Sequence, residues 1–460
     1  RSARRSIVDV SEQTLEDQVG TVYREILRRA PEDKAEPSLD RIAAATALLG
    51  DPQRAYKTIH VAGTNGKTST ARIADSLIRA HGLRTGRFTS PHLRSVAERI
   101  AIDGQPITPA AFLDAWSQVA PVVELVDRRS AARGGPQMTF FEVLTALAFT
   151  AFADAPVDVA VIEVGLGGSW DATNVVDSTV QVITPIARDH EAYLGSTLEQ
   201  IASEKAGIIR SRAVIGRQPS AAASVLVRAL EEAEAVGYWL GQDFDVVARG
   251  VAVGGQVARL RGLAGEYEDV LLPLFGAHQA DNAALAAAAV ELLMSDADQP
   301  LPGAAYLEGM ERADSPGRLE VVGNAPTVLV DAAHNVAGAE ALVEAIEETF
   351  PIALVGVIGM LDDKDAEGFL GVLEPALSQV VVTRSTSPRA IVPETLGQVA
   401  REVFGPDRVE VVERLDDALV RAVELAGIDT PDAPGALATG VLATGSVTVA
   451  AEARILMGRP

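Results

Sequence analysis

The sequence predicts an α/β chain. A phosphate-loop (P-loop) NTPase-like N-terminal domain would span residues 1–312, and a doubly wound, Rossmann-like C-terminal domain residues 313–460. Three observations carry this. The apolar run YKTIHVAG passes through a glycine loop with Lys-Thr into TSTARIADSLIRAHG, a strand, loop and helix in succession. The last third alternates short β-branched runs with amphipathic segments, the pattern of right-handed βαβ units. At 460 residues the chain is too long for one ordinary core.

Taken in order, RSARRSIVDV is basic but has no apolar stretch behind it, so it does not read as a secretory leader. DVAVIEVG and STVQVITPI read as further buried strands of the first sheet. Between Asp243 and Leu274, FDVVARGVAVGGQVARLRG alternates around a Gly-Gly turn and predicts an antiparallel hairpin appended to that sheet. An Ala-rich helix is expected from Asp281 to Met294, and SDADQPLPG, with two prolines and a glycine, reads as the linker. TVLVDAAH, IALVGVIG, QVVVTRS, RVEVVER and ALATGVLATGSV then supply the second sheet. The helix AGAEALVEAIEETF between the first two gathers Leu342, Val343, Ile346 and Phe350 on one face. The charge-free stretch from Ala433 to Ala451 is interrupted by Pro434, Gly435, Gly440 and Gly445, so it predicts strand and turn, not a membrane span.

Composition narrows the function. A formal charge of −23 argues against nucleic-acid and anionic-membrane partners, which require a basic face. Any anionic ligand must be held by a few local groups. The absence of cysteine excludes disulfides, thiolate metal sites and a cysteine nucleophile, and fits a cytoplasmic protein.

Four segments carry chemistry. HVAGTNGKTST departs from the usual phosphate loop, because Val61 stands where the first glycine is expected. Its context is still that of a phosphate cradle. The backbone N–H groups of Asn65 to Thr68 would face the anion, and Lys67 would reach the terminal phosphates. In VIEVGLGGSWDATN, Glu163 sits in a run otherwise fit for burial, and a Mg²⁺ ion would neutralise it. His190 follows the strand end ITPIARDH, with Lys205 beyond it in SEKAGIIR. Asp331 and His334 end the first strand of the second domain, the usual place for ligand groups, and Arg318 precedes it near the expected linker. An arginine there would suit a transferring phosphoryl group, although a surface ion pair explains it equally well from spacing alone.

These segments, together with LDRI, FTSPHL, TFFEVLTALAF, HQADNAALA, PGRLE and DAAHN in that order, resemble the folylpolyglutamate synthase/dihydrofolate synthase family, Mur-type ATP-dependent amide ligases. The resemblance spans nearly the whole chain, and the short GTNGKT loop is that superfamily's own form. It implies ATP binding by Thr64, Asn65, Gly66, Lys67, Thr68, Gln279, Asn282, Arg318 and Asp331. It implies Mg²⁺, at two sites, held by Ser90, Glu163, His190 and a carbamylated Lys205, and it admits K⁺. Folate would contact Asp40, Arg41, Thr139, Phe140, Phe141, Glu142, Trp170, Asp171 and Ala172. L-Glutamate would meet Asp331, His334 and Ser446, and Lys67, Lys205, His334 and Arg318 would serve catalysis. The implied partners are ATP, L-glutamate and a folate or dihydropteroate, the implied state a monomer. Ser169 and Trp170 replace the family's usual Arg-Leu, which bears on the folate side more than on the ATP side. A regulatory P-loop NTPase lacks support, since DDKD at 362–365 has no asparagine for reading guanine. A cell-wall Mur ligase is disfavoured by TSPHL and by the lack of an evident separate nucleotide-sugar domain.

Overall fold

The computed structural model describes residues 2–30, 37–428 and 439–459, whose strands form three sheets. The first contains β1 (Lys57–Ala62), β2 (Thr85–Phe88), β3 (Ile100–Ile102), β4 (Gln105–Pro106), β5 (Val159–Glu163), β6 (Val180–Ile183), β7 (Arg212–Ile215) and β8 (Val236–Trp239). Their spatial order is β4-β3-β2-β5-β1-β6-β7-β8. β3 runs antiparallel to both neighbours, and the remaining pairings are parallel.

The parallel strands are apolar along their length because both faces are covered. On one face Val159 and Val161 join a core with the helices Lys67–Ala80 and Ala277–Ser295. On the other, Ala160 and Ile162 pack with Phe141, Leu144 and Phe149 of the helix Phe140–Asp154. Alternation along a single strand therefore feeds two cores.

β9 (Asp245–Ala252), β10 (Gly255–Arg261) and β11 (Glu266–Leu272) form a separate antiparallel sheet in the order β11-β10-β9. The expected appended hairpin is thus corrected. Its Gly-Gly turn joins β9 to β10, but a third strand completes an independent meander that closes over the helix Ala277–Ser295. That helix starts at Ala277, not Asp281, because Gly276 is where the extended chain turns. Gln279 and Asn282 consequently share one face of its first turns.

The linker is also relocated. The segment after Ser295 leads into the helix Gly303–Glu311, which belongs to the first unit. Ser76 donates to Gly309 O at 2.7 Å, and Tyr306 stacks on Tyr267 with centroids 3.7 Å apart. The chain crosses over after Arg312. Two prolines opened a short helix here instead of a spacer.

The second unit is a six-stranded sheet of β12 (Glu320–Asn324), β13 (Thr327–Val330), β14 (Ala353–Ile358), β15 (Leu377–Arg384), β16 (Val409–Arg414) and β17 (Thr439–Thr444), ordered β12-β13-β17-β14-β15-β16. Only the β12 pairing is antiparallel. Cores on both faces make it doubly wound, as expected. Of the charge-free stretch from Ala433 to Ala451, the part before Thr439 lies outside the described residues. The rest is β17, a turn, and the start of the helix Val447–Leu456. Among the described residues no helix is long and apolar enough to cross a membrane.

Candidate active site

β1 ends at Ala62 in the centre of its sheet, flanked by β5 and β6, so the loops leaving all three strands crowd one edge. Val61 needs no glycine's freedom, since it is a fully buried strand residue. The turn needs glycine at positions 63 and 66 instead, where φ is +138° and +88°. A Cβ on Gly63 would lie 1.9 Å from Thr184 Oγ1, and one on Gly66 2.4 Å from Asn282 Oδ1. The helix then begins at Lys67, so its unpaired N–H groups and the positive end of its dipole face the loop. One part of the expected cradle is revised. The N–H groups of Thr64 and Asn65 donate to Pro185 O at 3.0 and 3.3 Å, so Asn65 offers its side chain to the site rather than its backbone.

Lys67 curls back to donate to Gly63 O at 3.1 Å and Thr64 O at 3.0 Å. Burial lowers its pKa, against the opposing pull of Glu163 and Asp189. Glu163, the register partner of Val61, emerges beside the loop with 2% exposure. Thr68 Oγ1 donates to its carboxylate at 2.9 Å and Ser90 N at 3.0 Å, while burial still raises its pKa. Ser90 therefore meets Glu163 through its main chain. His190 stands on the next loop beside Asp189, in left-handed backbone at φ +52°, and burial lowers its pKa to about 4.

Lys205, at the end of the helix Leu198–Ala206, donates to Gly63 O at 2.8 Å. Burial, assisted by Lys67, lowers its pKa to about 7. The GLGG…DATN segment fixes that helix end. Ser169 N donates to Glu204 O at 2.9 Å, and Asn174 Nδ2 donates to Ser169 O and Gly207 O at 3.0 and 3.1 Å.

This revises the folate side. Asp171 is fully buried, and its carboxylate accepts from Leu166 N and Thr173 N, each at 2.9 Å. Its side chain holds the backbone of this turn, and Ala172 is buried beside it. Arg41 and Glu142 form a buried ion pair at 3.0 Å, Thr139 caps the helix that carries Glu142, and Phe141 packs against Phe88 in the core. The apolar alternation on that helix could not separate Phe140 from Phe141. Asp40, Phe140 and Trp170 keep partial or full exposure. Phe140 gathers residues outside the sequence expectation: Tyr23 edge-on at 6.1 Å and the Arg99 guanidinium at 5.4 Å from its ring centre. His92 accepts from Arg99 Nε at 2.9 Å.

The strand ends of the second unit face the phosphate loop. Asp331, after β13, accepts from Leu319 N and Ala333 N, each at 2.7 Å, and thereby fixes the turn that carries Arg318. His334 donates through Nδ1 to Ala332 O at 2.8 Å, and its Nε2 lies 3.3 Å from Asp189 Oδ2. Ser446 caps the helix after β17 by accepting from Val449 N at 3.1 Å, and Gly445 N donates to Ala333 O at 3.1 Å, tying this turn to the end of β13. Asn282 donates to Gln279 Oε1 at 3.1 Å beneath Gly66. The sequence reading gave Asn335 and Lys364 no role in the site. Asn335 pairs with Asn65, and Lys364 lies 2.5 Å from Asp189.

Oxygen donors suit Mg²⁺, and Thr68 and Glu163 supply them next to a phosphate cradle. Among the described residues no three His, Asp or Glu side chains form a ready metal cluster. An ion held here would complete its shell from phosphate and water, as Mg²⁺ ordinarily does.

Comparisons with known proteins agree with this geometry. Residues 61–290 match the Mur ligase middle domain and residues 317–446 the Mur ligase glutamate ligase domain. The chain is 51% identical to the dihydrofolate synthase/folylpolyglutamate synthase of Mycobacterium tuberculosis, across 94% of this chain and 92% of that one. It superimposes on the solved Mycobacterium tuberculosis folylpolyglutamate synthase complexed with ADP with a TM-score of 0.93 at 49% identity, covering 97% and 99% of the two chains. The E. coli FolC structure in complex with DHPP and ADP matches with a TM-score of 0.80 at 28% identity, covering 96% and 97%.

Proposed function

Since the chain belongs to the dihydrofolate synthase/folylpolyglutamate synthase family of Mur ligases, we infer that it joins L-glutamate to the carboxylate of a folate, and to dihydropteroate, using ATP. One observation carries the reading. A phosphate loop with Lys67, a buried acid and a buried lysine faces the strand ends of a second α/β unit.

A carboxylate resists attack by an amine at neutral pH until it is activated. The folate carboxylate oxygen would attack the terminal phosphorus of ATP, forming an acyl phosphate as the bond to ADP breaks. The neutral glutamate amine would then attack the acyl carbon, and phosphate would leave as the C–O bond breaks, the nitrogen giving up a proton to the departing phosphate or to water. Lys67 would balance charge on the transferring group. Arg318, held by the Asp331 turn, would approach it from the other unit. Mg²⁺, held by Glu163 and Thr68 with Ser90 and His190 nearby, would neutralise phosphate charge when bound. Lys205, with its pKa brought near neutrality, is suited to carbamylation, which would make it an anion able to orient a second metal shell. Phe140, flanked by Tyr23, Arg99 and His92, is the proposed surface for the flat ring of the folate, with Asp40 and Trp170 at its margin. His334 and Ser446 are the proposed contacts of glutamate. Gln279 and Asn282 would support the nucleotide. Closure of the two units would keep water from the acyl phosphate.

ADP release that requires both a folate-type carboxylate and L-glutamate supports this function. ADP release indifferent to glutamate refutes it.

A further inference from the structure

The strand ends of the two units meet at Asp189. Its side chain and that of Lys364 are 8% and 6% exposed and lie 2.5 Å apart. Asp189 Oδ2 also accepts from Asn335 Nδ2 at 3.0 Å and lies 3.3 Å from His334 Nε2. Asn335 exchanges two hydrogen bonds with Asn65, each 3.1 Å, and its Oδ1 accepts from Gly338 N at 2.8 Å to cap the helix Val336–Thr349. A continuous polar path therefore runs from Lys364 through Asp189 and Asn335 to the phosphate loop.

Other contacts between the units differ in kind. Arg72 with Asp314, at 2.7 Å, and Ser69 with Ser315, at 3.0 Å, sit at the crossover itself, where the chain tethers the units in any orientation. Arg249 with Glu348, at 2.6 Å, is more exposed and so more weakly coupled. The Asp189 contacts are buried and remote in sequence from the crossover, and they join the loop after β6 to the second sheet's strand ends.

Building on the ligase reading above, we propose that Asp189 and Lys364 are positioning residues: a clasp that sets the second unit, and with it His334 and Arg318, in register over the phosphate loop. Desolvation makes the clasp conditional on both charges. Removing Asp189 leaves Lys364 with only the longer and more exposed contact to Asp363, at 3.6 Å, and removing Lys364 leaves Asp189 buried with only Asn335 and His334, whereas removing both avoids the cost of a poorly compensated charge.

The absence of cysteine allows the full chain to be labelled cleanly at two introduced cysteines, Glu232→Cys and Glu402→Cys, both at exposed positions, one in each unit. Energy transfer between the dyes is read with Mg-ADP, alongside kcat, for wild type, Lys364→Met, Asp189→Asn and the double variant. Each single variant is expected to widen the inter-dye distance distribution and lower kcat by about tenfold or more, and the double variant to recover most of both losses, the sign of a coupled pair. Wild-type distances in the single variants, a double variant no better than Lys364→Met, or a loss confined to the KM for glutamate would each overturn the clasp. The energy-transfer arm needs no chemistry, so it judges the clasp even if glutamate-dependent ADP release, the test of the ligase reading, fails.

Discussion

Lys67 and Lys205 donate to the same carbonyl oxygen, that of Gly63, at 3.1 and 2.8 Å. Burial disfavours the Lys205 ammonium group, and the neighbouring Lys67 charge adds to this, so the pKa of Lys205 falls to about 7. The unfolded chain keeps that proton up to about 10.5. Between these values unfolding takes up a proton, so stability rises with pH from about 7 to about 10.5, and below that window the penalty is complete. Lys205→Met is expected to remove this slope in CO2-free buffer and to raise stability near pH 7 by on the order of 2–4 kcal/mol, while abolishing turnover. Denaturant melts across that pH range check it. An active variant, or one no more stable than wild type, would contradict the assigned role. Lys205→Ala should regain some activity with a small carboxylic acid if a carbamate is the working form.

Glu163 accepts hydrogen bonds from Thr68 and Ser90 in a setting that disfavours its charge. Glu163→Gln preserves shape and removes that charge. Titration calorimetry should show that Mg²⁺ no longer strengthens ATP binding, and kcat should fall by about a hundredfold or more. Mg²⁺-dependent affinity equal to wild type would remove Glu163 from the metal site.

Asp171 separates an architectural role from a binding one. Because its carboxylate holds Leu166 N and Thr173 N, Asp171→Ala should cost about 2–4 kcal/mol of stability by orphaning buried donors. Phe140→Ala should instead raise the KM for folate about tenfold or more with little change in thermal stability. Equal stability in both variants would defeat the distinction.

Much of this was legible in the sequence because the strands that matter are buried on both faces and the loops between them carry Gly, Lys and acid in fixed spacing. The phosphate loop, Glu163 and the second doubly wound sheet are readable on those grounds, whereas a role for Lys205 is implied only by the family resemblance. What escaped reading depends on contacts between distant segments. Asp171 looks like a ligand residue until Leu166 and Thr173 are seen to use its carboxylate. Arg41 and Glu142 look available until they are seen paired. Lys364, within DDKD, drew notice only for failing to read guanine; its partner Asp189 lies in the other unit, and no local pattern links them. The misplaced linker has a similar cause, since Tyr306 and Gly309 bind the following helix to the first unit through tertiary packing alone.

The most direct test follows one oxygen atom. A folate bearing heavy oxygen in its carboxylate is incubated with the protein, Mg-ATP and L-glutamate, and products are read by mass spectrometry, with dihydropteroate in parallel. Activation through an acyl phosphate predicts a product extended by one glutamyl residue and one heavy oxygen in each phosphate released. Unlabelled phosphate, or phosphate release without an extended product, would contradict it.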